Sequence, residues 1–277
     1  MGVGKSCFKI VVALLLVIAF SLPASAQNVM ADLSKESVIA KVVERNKLRV
    51  GFSTFVPWAM KDKNGEFVGF EIDVMKELAK DLGVEIEFVP TTWSGIIPAL
   101  LADKFDVIIG GMSVTTQRNL KVNFSDPYDY TGIAMLASRK KGGDIKTLED
   151  VNKAGVVVVA RIGSTPAAAA KEYFPKAEVR LFEKETQCVQ ELMTGRATVM
   201  LASAPLPAFK AYEFPKKLFV PIKGTFTKEP IGFALRKGDP DTLNVLNNWV
   251  RLKHQSGWLK ARKDYWFEGK EWESMLK

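Results

Sequence analysis

Apolar residues alternate along this chain between two spacings. Short apolar runs at residues 48–50, 85–89 and 107–109 have the length of buried strands. Between the first two, Ile72, Met75, Ala79 and Leu82 recur at helical spacing, and Gly83 supplies the stop. Residues 96–102 continue as a helix, with Pro98 tolerated in the first turn, where the missing amide has no partner to lose. Strand, helix, strand, helix, strand in that order predicts a parallel sheet.

The pattern then begins again. Residues 156–160 read as a buried strand, 167–173 as a helix and 179–182 as a strand. A helix through Val189, Leu192 and Met193 follows, stopped by Gly195, and residues 199–201 form the next strand. Between the two series lies Arg139-Lys140-Lys141-Gly142-Gly143, read as a crossing between two lobes, with a return crossing expected at 227–233. The last segments, with Leu243, Leu246 and Val250 and then 258–266, predict helices that pack back on the first lobe. The fold class is therefore α/β, with residues 27–138 and 232–277 in lobe 1 and 139–231 in lobe 2.

Residues 1–26 carry a different signal. Lys5 and Lys9 give a positive start, residues 10–20 are uninterruptedly apolar, and Ala24-Ser25-Ala26 is a small-residue cleavage site. This predicts a secretory signal peptide, too short in its apolar part to span a bilayer. Cys7 precedes the apolar run, so no lipid anchor on a mature N-terminal cysteine is expected, and the mature protein starts near Gln27 in the periplasm. Of 39 basic residues two lie in this leader, leaving 37 against 31 acidic ones and a net +6. The excess suits an anionic solute, and its dispersal gives nucleic-acid binding little support. Cys188 is then the one remaining cysteine and His254 the one histidine. An internal disulfide, a Cys/His zinc site and a Ser-His-Asp or Cys-His pair are poorly supported, and no cofactor is expected. His254 itself reads as a surface position on a helix.

The densest chemistry lies at 108–118. The strand stops at Gly110-Gly111, where the main chain can approach a ligand closely because no Cβ intervenes. Ser113 offers a hydroxyl, Thr115 or Thr116 can cap a short helix, and the fork-shaped guanidinium of Arg118 can reach an anion there. This is a receptor for a carboxylate. Lobe 2 has its own version, Arg161-Ile162-Gly163-Ser164-Thr165-Pro166, in which Gly163 opens a turn and Ser164 or Thr165 caps a helix. Ordinary capping explains that motif as well as a ligand does, and two such helix starts facing one another would make a clamp.

These residues resemble family 3 of the bacterial extracellular solute-binding proteins, which serve polar amino acids and related compounds. The resemblance spans 48–266. It is carried by Gly69-Phe70-Glu71-Ile72-Asp73, by Trp93 with Ile97-Pro98-Ala99-Leu100, and by Phe105-Asp106-Val107-Ile108. It continues through Gly111-Met112-Ser113-Val114-Thr115, Arg118 and Phe124-Ser125-Asp126-Pro127-Tyr128. It implies a periplasmic-binding-protein-like fold, two α/β lobes joined by two hinge strands with the ligand in the interlobe cleft. It further implies that Phe55 and Trp93 sandwich the ligand, with Trp58 nearby and its role open. The family's carboxylate site falls on Gly110, Gly111, Ser113 and Arg118, with Gly163, Ser164 and Thr165 from lobe 2.

One departure bears on the substrate. Where such proteins close on the ligand's ammonium with an aspartate after the last strand of the second lobe, this chain has Ser203. An acid often found shortly after the first strand is also missing from Gly51-Phe52-Ser53-Thr54. Either the ligand lacks an α-ammonium or another acid reaches it. Glu183 and Glu185 are candidates, although solvated helix-start acids are the simpler reading. The expectation is a monomeric binding protein that delivers a small carboxylate, best an amino acid, to an inner-membrane ABC permease. A non-amino organic acid, an enzyme resembling cyclohexadienyl dehydratases and a sensory protein are the alternatives. The dehydratase reading is weakened because Ser203-Ala204-Pro205 offers no carboxylic acid.

Overall fold

The computed structural model describes residues 37–269 and 271–276, so the expected signal peptide lies outside the described residues. Helix α1 (Val38–Glu44) leads into β1 (Lys47–Phe52), and the hairpin of β2 (Met60–Lys61) and β3 (Phe67–Val68) follows. Helix α2 (Phe70–Leu82) buries Phe70, Ile72, Val74, Met75, Leu78 and Ala79. It ends at Gly83, whose left-handed φ of 68° is open to glycine at little cost. Next come β4 (Glu85–Pro90), a 3₁₀ turn (Trp93–Gly95), α3 (Ile96–Leu101), β5 (Val107–Ile108), α4 (Thr116–Asn119) and β6 (Asn123–Phe124).

Strand β7 (Asp129–Thr131) leaves this lobe and β8 (Ile133–Ser138) enters the second. There β9 (Val157–Arg161), α5 (Thr165–Tyr173), β10 (Glu178–Phe182), α6 (Glu185–Thr194), β11 (Val199–Ser203), α7 (Leu206–Glu213) and β12 (Leu218–Phe219) repeat the alternation. The chain returns through β13 (Glu229–Ile231) to β14 (Ala234–Leu235), then α8 (Pro240–Gln255), α9 (Trp258–Phe267) and a 3₁₀ turn (Glu271–Met275).

The two five-stranded sheets run β4-β1-β5-β14-β6 and β10-β9-β11-β8-β12. In each, the first three strands are parallel and the fourth is antiparallel. That fourth strand arrives from a crossing, so each lobe is completed by chain coming from the other. The crossings themselves, β7 and β13, pair antiparallel with Thr131 opposite Glu229.

The first crossing therefore lies at 129–132 and not at 139–143. Residues 133–138 are all buried because β8 is an inner strand of the second sheet, and the basic stretch 139–141 is an exposed turn beyond its end. Gly132 marks the passage, since a Cβ there would stand 2.1 Å from the Thr227 carbonyl oxygen on the returning chain. The last helices pack on lobe 1. Trp266 donates to Asp73 at 2.7 Å and Trp249 to Asp81 at 2.8 Å, both acceptors lying on α2. His254 is exposed on α8, and Cys188 is buried in α6 as a free thiol.

Candidate functional site

The C-terminal ends of the parallel strands of both sheets face the same cleft, the place where open α/β sheets present loops to a ligand. From lobe 1, β1 leads to Phe55, β4 to Trp93, and β5 to Gly110, Gly111 and Ser113. From lobe 2, β9 ends in Arg161 before Gly163, Ser164 and Thr165, β10 leads to Glu183 and Glu185, and β11 ends in Ser203.

Arg118 is fixed by its own short helix. Thr115 caps α4, accepting from the Arg118 amide at 3.2 Å, and the guanidinium folds back so that Nη1 donates to the Ser113 carbonyl at 2.8 Å. Its Nη2 crosses the cleft to the Gly163 carbonyl at 3.0 Å. Trp93 reaches the same oxygen, its indole N–H donating at 3.1 Å. Burial pushes the Arg118 pKa down to about 10, nearby Glu229 opposes this and Arg161 adds to it, so the side chain stays cationic at neutral pH.

Several expected participants are placed differently. The amide of Gly111 does not face the cleft, because it bonds the buried carboxyl of Glu71, and the Gly110 amide lies close to the same group. The positive φ values of these glycines, 154° and 60°, turn the N–H groups inward. Tyr128 donates to the same carboxyl oxygen, so Glu71 ties the Gly110-Gly111 turn to the core. Burial raises its pKa to about 7 against the pull of these bonds. Ser164 spends its hydroxyl on its own turn, accepting from the Ala167 amide at 3.2 Å and donating to the Arg161 carbonyl at 2.6 Å. It is a helix cap.

The structure brings Ser113 and Thr165 together through a residue that sequence reading passed over. Glu229, on the returning crossing, accepts from the Ser113 hydroxyl and from Thr165 Oγ1 at 2.7 Å, while Thr227 donates to its other oxygen at 3.0 Å. One carboxylate is thus held by hydroxyls from both lobes. Ser203 lies close by along the backbone. Thr131, paired with Glu229 across the crossings, donates to the carbonyl of Ala204 at 3.0 Å. The hint in the sequence is an acid inside the expected return crossing, which only the strand pairing orients toward the cleft.

Arg161 was also missed. It ends an apolar strand and is only 5 % exposed, lying over the rings of Trp93 at 4.4 Å and Phe55 at 5.4 Å. The two aromatics expected to sandwich a ligand are therefore in contact with a guanidinium of the protein. Glu185 pairs with Arg161 at 3.4 Å and is 8 % exposed, so it is not a solvated helix-start acid. Glu183 is exposed and accepts from Ser94 of lobe 1 at 2.9 Å. Trp58 is core. It stacks on Phe55 at 5.7 Å, touches Phe70 and Phe267, and donates to the Ala204 carbonyl of lobe 2 at 3.3 Å.

Two cavities open here. A small one of about 90 Å³ adjoins Trp93, Met112, Arg118 and Gly163. A larger one of about 590 Å³ extends between the lobes past Phe55, Met60, Arg161 and Glu185. Among the described residues no group of His, Cys, Asp and Glu is placed to hold a metal ion. The site can hold a small charged molecule between opposed charges and shut it from water.

The profile of the bacterial extracellular solute-binding proteins, family 3, matches residues 48–269. The L-cystine-binding protein TcyJ of Escherichia coli K12 is 30% identical over 237 residues, 85% of this chain and 88% of that protein. A cyclohexadienyl dehydratase of Pseudomonas aeruginosa is 25% identical over 240 residues, again 85% and 88% of the two chains. The crystal structure of an ancestral amino-acid-binding protein, AncCDT-1, described as a precursor of cyclohexadienyl dehydratase, superposes with a TM-score of 0.77 at 44% identity, covering 83% of this chain and 99% of that one. With two α/β lobes, paired crossing strands and a charged interlobe cleft, this chain belongs to family 3 of the bacterial extracellular solute-binding proteins.

Proposed function

We propose that this protein captures a small α-amino acid in the periplasm and presents it to an inner-membrane ABC permease. Arg118 pairs with the ligand's carboxylate, the hydroxyls of Ser113 and Thr165 bond its polar head, and Trp93 lies against its body. Glu229 takes the ammonium, the task for which Ser203 has no charge. The observation that carries this reading is the nearness of Arg118 to Glu229, whose carboxylate takes hydroxyl donors from both lobes. A buried ammonium with no anionic partner costs several kcal/mol, and Glu229 removes that cost.

The test compares an amino acid with its deaminated analogue by calorimetry. The wild type is expected to prefer the amino acid, and Glu229→Gln, which keeps one acceptor for the Ser113 and Thr165 hydroxyls and removes the charge, is expected to lose that preference. Equal preference in both proteins contradicts the assignment.

We read the protein as a binder and not an enzyme. The place after β11 holds Ser203-Ala204-Pro205 and no carboxylic acid. Incubation with prephenate or arogenate is expected to leave both unchanged, and turnover of either would reverse this reading. Residues 1–26 are taken as a cleaved leader, so the periplasmic protein is expected to begin at Gln27 and to act as a monomer.

A further inference from the structure

The larger cavity is not accounted for by a single amino-acid head. At about 590 Å³ it far exceeds the small space at Arg118, and its two buried charged groups form a second pair, Arg161 with Glu185, beside the more exposed Lys61, Glu183, Lys184 and Lys210. Both side chains are more than nine-tenths buried and both line the cavity. Yet among the described residues Arg161 Nε and Glu185 Oε2 have no hydrogen-bond partner. Buried polar groups in folded proteins are nearly always bonded, so a pair left with spare capacity at a cavity wall is suited to an outside partner. The guanidinium needs an acceptor and the carboxylate needs a donor.

The cavity wall also carries the apolar side chains of Phe55, Met60, Val189 and Leu206. Arg161 and Arg118 lie 4.4 and 5.5 Å from the centre of one indole ring, that of Trp93, so one extended small molecule can reach both guanidinium groups. Two arginine–glutamate sets then lie around Trp93, Arg118 with Glu229 and Arg161 with Glu185.

We infer that the solute carries an amino-acid head at each end of an apolar linker. The first head binds at Arg118 and Glu229, and the second puts its carboxylate on Arg161 and its ammonium on Glu185. This rests on the amino-acid reading above and specifies the substrate class of the same cleft.

Calorimetry with L-cystine and L,L-diaminopimelate as double-headed probes, and S-methyl-L-cysteine and L-glutamine as single-headed ones, tests it. The wild type is expected to bind a double-headed probe at least about tenfold more tightly than either single-headed one. The double variant Arg161→Met/Glu185→Gln removes the pair together, so neither charge is left buried alone. It is expected to bring the ratio of double-headed to single-headed affinity down to about one, whatever it does to the single-headed affinities themselves. Single-headed probes binding as tightly as double-headed ones, or a double variant that keeps the advantage, overturns the inference and leaves the amino-acid reading standing. Binding of none of the four overturns the inference, and the comparison of an amino acid with its deaminated analogue then decides the amino-acid reading by itself.

Discussion

Arg118 of lobe 1 donates to the carbonyl oxygen of Gly163 in lobe 2 at 3.0 Å, so the side chain assigned to the ligand also bridges the cleft. The same guanidinium is anchored within its own lobe at Ser113. An arriving carboxylate replaces a neutral acceptor with a charged one. Charge-assisted bonds are roughly twice as strong as neutral ones, and closure around the anion keeps the pair from water. On the proposed function, Arg118 would therefore link ligand binding to closure.

Planarity matters here as well as charge. Arg118→Lys keeps a cation, but an ammonium lacks the rigid fork that bonds Ser113 and Gly163 in one plane. Calorimetry is expected to show amino-acid affinity reduced by about ten- to a hundredfold, an estimate for the loss of one or two charge-assisted bonds. Wild-type affinity in this variant would mean that charge alone suffices.

Glu71 gives stability a defined pH dependence. Its pKa is raised in the folded protein to about 7 from 4.5, so the native state holds the proton more tightly than the unfolded chain. The stabilisation is fully present below about pH 4.5 and is lost as pH rises through about 7. Asp129, also raised by burial, acts in the same direction. Urea unfolding at pH 5 and pH 8 is expected to show the wild type losing up to roughly 3 kcal/mol more than Glu71→Gln, whose amide can still accept from Gly111 and Tyr128. Equal losses in the two proteins would contradict the buried-carboxyl account.

Two glycines separate the two possible places for the first crossing. A methyl group at Gly132 would stand 2.1 Å from the Thr227 carbonyl and 2.7 Å from the Thr225 side chain. At Gly143 the nearest atom is 3.8 Å away, an ordinary contact. Gly132→Ala is therefore expected to destabilise by more than roughly 2 kcal/mol and Gly143→Ala by less than about 0.5. Thermal unfolding of the two variants checks this, and a reversed order would mean that the chains do not pass closely at 132.

Much of the fold was legible in the sequence because each signal was local. Gly83 and Gly195 stop helices whose apolar residues repeat at helical spacing, and the strand at 107–109 is apolar on both faces. The first crossing was not legible. A buried edge-to-centre strand such as β8 has the same apolar run in either lobe, and only its pairing with β11 and β12 assigns it.

The candidate site divides in the same way. Arg118, Ser113 and Thr165 were named from motifs, Ser113 and Thr165 lying soon after a strand end and Arg118 in the short helix that follows Ser113. Glu229 does not, because the Lys228-Glu229-Pro230 sequence reads equally well as an exposed link. Its meaning comes from long-range pairing with Thr131 and from hydroxyls 116 and 64 residues away. Arg161 was overlooked, and Glu185 was named only beside the simpler reading of a solvated helix start, for a related reason. A charge at a strand end and another at a helix start read as solvated until the two lobes cover them.

The most direct test is the affinity of the wild type and of Arg118→Ala for an amino acid selected by thermal-shift screening, measured by calorimetry at one salt concentration. A carboxylate held by this guanidinium in a closed cleft predicts a loss of roughly 2–5 kcal/mol, about 30-fold to several-thousand-fold in Kd. An unchanged Kd in a folded Arg118→Ala protein would contradict the account.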